Sequence, residues 1–228
     1  MSAGHWLVLD ASASIGTVAV LRDGALAAER TVEMRSDGEE RYFPAILGTL
    51  EEAGTSPRDL QRVVCGAGPG SFTSLRVAGA IAKGIAVGSA CPLFGVPSLA
   101  LIVAAAPETA APGSRWMATL DAMRGDRYAA LVEVGAEGVI AAVETLGLFT
   151  AAALASRAAR LGAKLIGPDE SYQAMPHARG LARCLGLVEA MGQADVAAWE
   201  PAYGRLAEAQ VRWEAAHGRT LASGRTRA

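Results

Sequence analysis

Between residues 62 and 88 the chain changes character twice. Arg62-Val63-Val64-Cys65-Gly66 is a short apolar run, Ala67-Gly68-Pro69-Gly70-Ser71 is a glycine–proline turn, and Phe72 to Gly88 follows without another breaker. A brief β-branched run closed by glycine reads as a buried strand. Ser71 or Thr73 supplies the cap of the helix that follows. Leu75, Val77, Ile81, Ile85 and Val87 point in several directions around that helix, so it is apolar nearly all round. A helix of this kind must be covered on more than one side, which requires layers of helix against sheet.

The rest of the chain supplies such layers in a repeating order. Residues 6–11, 17–21 and 25–34 read as three antiparallel strands, with Arg22-Asp23-Gly24 as a hairpin turn. A helix over 41–53 carries Phe43, Ile46, Leu47 and Leu50 at helical spacing. Strand 62–66, helix 72–88, strand 93–96 and a helix from Ser98 to about residue 106 complete one round. Strands over 115–122, 127–134 and 139–146, helix 150–161, strand 164–167 and helix 178–191 form a weaker second round, and a last helix is expected over 204–222. The order predicts an α/β, two-lobed actin-like (ASKHA, ribonuclease H-like) fold with duplicated β-β-β-α-β-α units. The lobes are expected at 1–107, completed by helix 204–222, and at 108–203, with the small, proline-bearing stretch 111–114 between them.

Composition and the scarcity of reactive side chains narrow the chemistry. Of 228 residues 51% are hydrophobic and 19% charged, enough for a sizeable core, and a net charge of −2 gives no overall attraction for nucleic acid. Cys65, Cys91 and Cys184 are scattered and predict reduced, buried thiols. The uncharged stretch from Gly84 to Pro107 is broken by Gly88, Pro92, Gly95 and Pro97, which predicts strand and loop rather than a membrane span, hence a soluble cytoplasmic protein. His5, His177 and His217 are isolated, so local spacing assembles no metal set, and Ser71 and Ser98 lack an evident histidine partner. An ATPase of this fold needs a glycine in its first hairpin loop, where Asp10-Ala11-Ser12-Ala13-Ser14 has Ser12. Asp10 either holds a magnesium ion through water or ends a strand. The glycine-rich turn either cradles a phosphate at a helix N-terminus or is purely structural; Pro69 removes one donor, and neither standard phosphate-loop spacing is present. No catalytic, cofactor or metal residue is therefore assigned.

The segment Cys65-Gly66-Ala67-Gly68-Pro69-Gly70-Ser71-Phe72-Thr73-Ser74-Leu75-Arg76, followed by Lys83-Gly84-Ile85-Ala86, resembles the GPGSFTGLR signature of the TsaB (YeaZ) family. Leu9-Asp10-Ala11-Ser12, Gly95-Val96-Pro97-Ser98-Leu99, 121–128 (DAMRGDRY) and Glu200-Pro201-Ala202-Tyr203-Gly204-Arg205 resemble further family motifs, in family order. Ser74 replaces the usual glycine, the segment 35–40 lacks the histidine often found before the first helix, and Gly204 stands where leucine is common. The resemblance implies a non-catalytic partner or scaffold subunit of the tRNA threonylcarbamoyladenosine modification complex. It implies dimerisation with a catalytic TsaD-type subunit, support for docking of a TsaE-type ATPase, and tRNA met through the complex. It further implies that ATP or ADP and metal reside in the partner subunits rather than here. The rival readings are a small-molecule kinase or ATPase of the same fold, or a peptidase, an older label of the family.

The interface expected from this resemblance uses the helices over 41–53 and 72–88. Ser74, Ala78, Ala82 and Ala86 form one row of small residues four apart, and Ala80, Gly84 and Gly88 form another. Small rows admit a second helix closely, and the same rows also suit packing inside the chain's own domain. The candidate interface residues are Phe43, Ile46, Leu47, Ser74, Leu75, Ala78, Gly79, Ala82 and Ala86, with a homodimer expected for the isolated protein. Arg205, Arg212 and Arg219, seven apart, form one stripe of the last expected helix. They read as a solvated face or as a contact for tRNA or an acidic partner.

Overall fold

In a computed structural model, residues 4–34 and 41–204 are described. The first half opens with β1 (His5–Asp10), β2 (Ile15–Arg22) and β3 (Ala25–Glu33), then α1 (Tyr42–Glu52), β4 (Leu60–Gly66), α2 (Phe72–Gly88), β5 (Leu93–Val96) and α3 (Ser98–Ala105). The second half repeats the opening with β6 (Arg115–Asp121), β7 (Asp126–Val134), β8 (Ile140–Thr150), α4 (Ala151–Leu161) and β9 (Lys164–Gly167), then β10 (Tyr172–Gln173) and α5 (Leu185–Met191). Each half builds a five-stranded sheet, ordered β3-β2-β1-β4-β5 and β8-β7-β6-β9-β10. In both, the first three strands are antiparallel neighbours and the later strands join in parallel. The duplicated α/β architecture is that of the two-lobed actin-like class.

Strand alternation sets the layers. Trp6 and Val8 of β1 face one way, with Ala19, Leu21 and Val64, into a core shared with Trp116, Ala118, Leu120 and Val132 of the second sheet. Between the sheets lies α3, whose eight residues are all buried, as a helix apolar on every side must be. Leu7 and Leu9 face the other way, with Val18, Val20, Val63 and Cys65, and α1 and α2 cover them. On the far side of the second sheet, Met117 and Ala129 meet Leu154 and Ala158 of α4.

The second round departs from the first in its helices. A turn, not a helix, joins β9 to β10, and the helix expected over 178–191 divides into a 3-10 segment, Ala178–Arg183, and α5. Close packing explains the division. A Cβ on Gly180 would sit 2.9 Å from the Ala105 nitrogen and 3.0 Å from the Leu101 carbonyl, so the 3-10 backbone lies directly on α3. Residues 193–203 then run along the first sheet: Ala194 N–H donates to the Leu93 carbonyl (2.8 Å) and Ala202 N–H to the Ala67 carbonyl (2.7 Å). The helix expected over 204–222 falls, but for Gly204, outside the described residues. Among the described residues no helix is long and apolar enough to cross a membrane.

Arg183 closes the end of α3. Its Nη1 donates to the carbonyls of Val103, Ala104 and Ala106 and to Thr109 Oγ1 at 3.0–3.2 Å, and its Nε donates to the Gly138 carbonyl at 2.6 Å. Together with Thr109, whose Oγ1 donates to the Val103 and Ala106 carbonyls, the guanidinium covers the carbonyl end of α3, where the dipole favours a cation. Arg183→Met keeps the stem and removes every donor. The expected cost is about 2–3 kcal/mol, a fall of roughly 5–10 °C in Tm, read by circular dichroism; an unchanged melt would show the clamp to be dispensable.

Candidate subunit interface and the turn beneath it

Asp10 ends β1 and is fully buried. Its Oδ2 accepts from Ser98 Oγ at 2.6 Å, and its Oδ1 accepts from Ser12 Oγ at 2.7 Å and Ser12 N–H at 3.0 Å. Burial raises the carboxyl above its ordinary range, and the hydrogen bonds from Ser98 and Ser12 oppose that rise. Gly66 is required beside it, because a Cβ there would lie 1.9 Å from Asp10 Oδ2.

The glycine-rich turn wraps around this carboxylate. Gly68 has φ +79° and lies so close to Ala202 that a Cβ would be 2.4 Å from its carbonyl oxygen, which leaves glycine as the residue that fits. Three of the turn's N–H groups are committed within the chain: Ala67 to the Val96 carbonyl (2.7 Å), Gly68 to Ser98 Oγ (3.1 Å) and Ser71 to the Ser12 carbonyl (2.7 Å). A phosphate here would have to displace these partners. Ser71 is the N-cap of α2 by position, yet its hydroxyl pairs with Ser74 Oγ (2.9 Å) rather than with a helix N–H. Among the described residues no group of three or more His, Cys, Asp or Glu could hold a metal ion. Cys65, Cys91 and Cys184 are buried and free, and burial pushes the Cys184 thiol up to about 12.

Above the turn, α2 divides by side. Ser74, Leu75, Ala78, Gly79, Ala82 and Ala86 are buried. Ala78, Ala82 and Ala86 pack into the core with β1, β2 and β4, and Gly79 is covered by Pro201 and Trp199. This is the row expected to meet another helix. What it meets is the chain's own sheet and its returning segment, so a partner has no access to those side chains. Ile46 of α1 is likewise fully buried. Of the expected set, Phe43 and Leu47 face outward, 42% and 45% exposed.

The open surface of α2 is the other small row. Ala80, Gly84 and Gly88 are exposed, and a Cβ on Gly84 or Gly88 would find no atom within 4 Å. Val77 and Val87 flank them in the open. Arg76 and Lys83, seven apart, border this side and are the sequence signal that could have located it. α1 and α2 cover the same face of the first sheet; the outer side of α1 presents Phe43 and Leu47, and that of α2 presents Val77 and Val87, with Gly84 and Val87 beside residues 193–197 of the returning segment. Arg205, Arg212 and Arg219 lie outside the described residues.

Comparison with known proteins agrees with this architecture. The family model for TsaD, tRNA N6-adenosine threonylcarbamoyltransferase, matches residues 36–178, more than half of the chain. The tRNA threonylcarbamoyladenosine biosynthesis protein TsaB of Escherichia coli is 28% identical over 170 residues, covering 75% of this chain and 73% of that protein. TsaB of Bacillus subtilis is 30% identical over 132 residues, covering 56% of this chain and 54% of that one. A crystal structure from Pseudomonas aeruginosa, of an uncharacterized protein with similarity to peptidase YEAZ, superposes with a TM-score of 0.71 at 22% identity, over 89% of this chain and all of that one. YeaZ from Pseudomonas aeruginosa gives a TM-score of 0.66 at 22% identity, over 88% and 99%. The sequence motifs, the matched model and the shared fold place this chain in the TsaD-like family, in its TsaB (YeaZ) group.

Proposed function

We propose that this protein takes part in making threonylcarbamoyladenosine in tRNA as a partner subunit that supplies surface rather than chemistry. Its outer α1/α2 face holds a TsaD-type catalytic subunit, and the assembled pair supports docking of a TsaE-type ATPase and meets tRNA. Nucleotide and metal belong to the partners, and the isolated protein covers the same face by pairing with a second copy. The observation that carries this reading is the exposure of Phe43 and Leu47 on α1 and of Val77 and Val87 on α2, the two helices that cover one face of the first sheet, with open backbone at Gly84 and Gly88. Apolar side chains grouped in this way on a soluble surface mark an interaction site. The names of the relatives supply the pathway, and the commitment of the Ala67, Gly68 and Ser71 N–H groups to the chain itself favours a scaffold over a kinase.

The test is Leu47→Asp with Val77→Asp, which places two carboxylates on the proposed interface and removes nothing from the core. Co-purification with the cognate TsaD-type protein is expected to fall by at least about a hundredfold, as desolvating two unpaired charges demands, with the melt of the isolated protein close to wild type. Retention of the pairing at wild-type affinity would move the interface elsewhere.

A further inference from the structure

We infer that Asp10 is a positioning residue: acting through Ser98 and Ser12, its carboxylate fixes both limbs of the Gly68–Ser71 turn and so sets how α2 is presented to a partner. This rests on the interface reading above. Each serine that donates to Asp10 also grips one side of the turn. Ser98 Oγ, 2.6 Å from Asp10 Oδ2, accepts the Gly68 N–H at 3.1 Å, while Ser98 N–H donates back to the Gly68 carbonyl at 3.0 Å. Ser12, held to Asp10 Oδ1 at 2.7 and 3.0 Å, accepts the Ser71 N–H on its carbonyl at 2.7 Å. Ser71 in turn accepts the Leu75 N–H at 2.9 Å, the first turn of α2. One carboxylate therefore reaches the turn's entry and its exit through a single residue each.

A strand-ending role alone does not account for this arrangement. Burying an acid away from water is costly unless its partners repay it, and a neutral polar residue closes a strand without that cost. The second half of the molecule provides the comparison. Asp121 ends β6 as Asp10 ends β1, is followed by alanine as Asp10 is, and accepts the N–H two residues on, from Met123 at 3.0 Å. Yet Asp121 is exposed and engages Arg127, and a turn rather than a helix joins β9 to β10, so it has no helix to seat there. The same local turn lies open where there is no helix to hold, and is buried, with two serines added, where α2 begins.

Ser98→Ala deletes the entry relay without adding bulk, and Ser12→Ala removes the hydroxyl that helps hold the exit. Hydrogen exchange of the isolated protein, followed by mass spectrometry, is expected to quicken about tenfold or more over residues 68–80 in both variants. Association with the TsaD-type protein should weaken by about tenfold. Arg183→Met, which loosens the opposite end of α3, serves as the control: it lowers Tm but leaves exchange over 68–80 and association at wild-type values. Unchanged exchange in both serine variants overturns the proposal, as does quickened exchange with wild-type association. If the wild-type protein itself fails to associate, the interface reading falls, an outcome separate from either of these.

Discussion

Ala82→Trp is expected to abolish cooperative folding, whereas Gly84→Trp, two residues along the same helix, is expected to fold normally and to lose the partner. Ala82 is wholly buried against the first sheet, in the same cluster as Leu7, Leu9 and Cys65. Extra methylenes in a packed core typically cost about 1–3 kcal/mol, and an indole is far larger, so the penalty approaches the whole stability of a domain. Gly84 has no atom within 4 Å of where its Cβ would stand. Replacing a mid-helix glycine there also relieves roughly 0.5–1 kcal/mol of backbone entropy. The indole at residue 84 would instead project from the proposed interface and hold a partner helix away. Thermal melts and co-purification separate the outcomes. A folded Ala82→Trp protein would mean that α2 is turned differently, and a Gly84→Trp protein that still pairs would remove α2 from the interface.

That contrast shows where the sequence was legible and where it was not. Strand β4, the turn and α2 were readable because each has its own chemistry: β-branched residues, then glycine and proline, then an unbroken apolar helix. The three opening strands of each half and the burial of α3 follow from similar local patterns. The direction of the small-residue rows was not readable. Two such rows lie on α2, and periodicity separates them without saying which one meets the sheet. Only the burial of Ala78 and Ala82, with Trp199 and Pro201 over Gly79, decides it. The break in the helix over 178–191 is likewise tertiary, since Gly180 is needed by α3 rather than by its own segment. The hub at Asp10 joins residues 88 apart in sequence, and no local spacing could have paired Asp10 with Ser98.

The second large effect is expected at Gly66, and its partner in the test is Asp10. A Cβ on Gly66 would stand 1.9 Å from Asp10 Oδ2, 2.8 Å from its Cγ and 2.9 Å from Ser98 Oγ. None of these atoms ends a flexible side chain with room to swing: Asp10 and Ser98 are both fully buried and hydrogen-bonded to each other. Gly66→Ala must therefore drive the carboxylate off its donors or push β4 away from β1, at about 3 kcal/mol or more. Asp10→Ala alone leaves the hydroxyls of Ser12 and Ser98 without their acceptor, at about 1–3 kcal/mol. In the double variant the carboxylate that obstructs the new methyl is gone, so the two costs should not add. The expected coupling in urea melts is about 1–3 kcal/mol in favour of the double variant, the size found for residues in contact. Strict additivity would mean that the methyl at residue 66 is accommodated without touching Asp10, and the tight approach of β4 to the buried carboxylate would then have no energetic consequence.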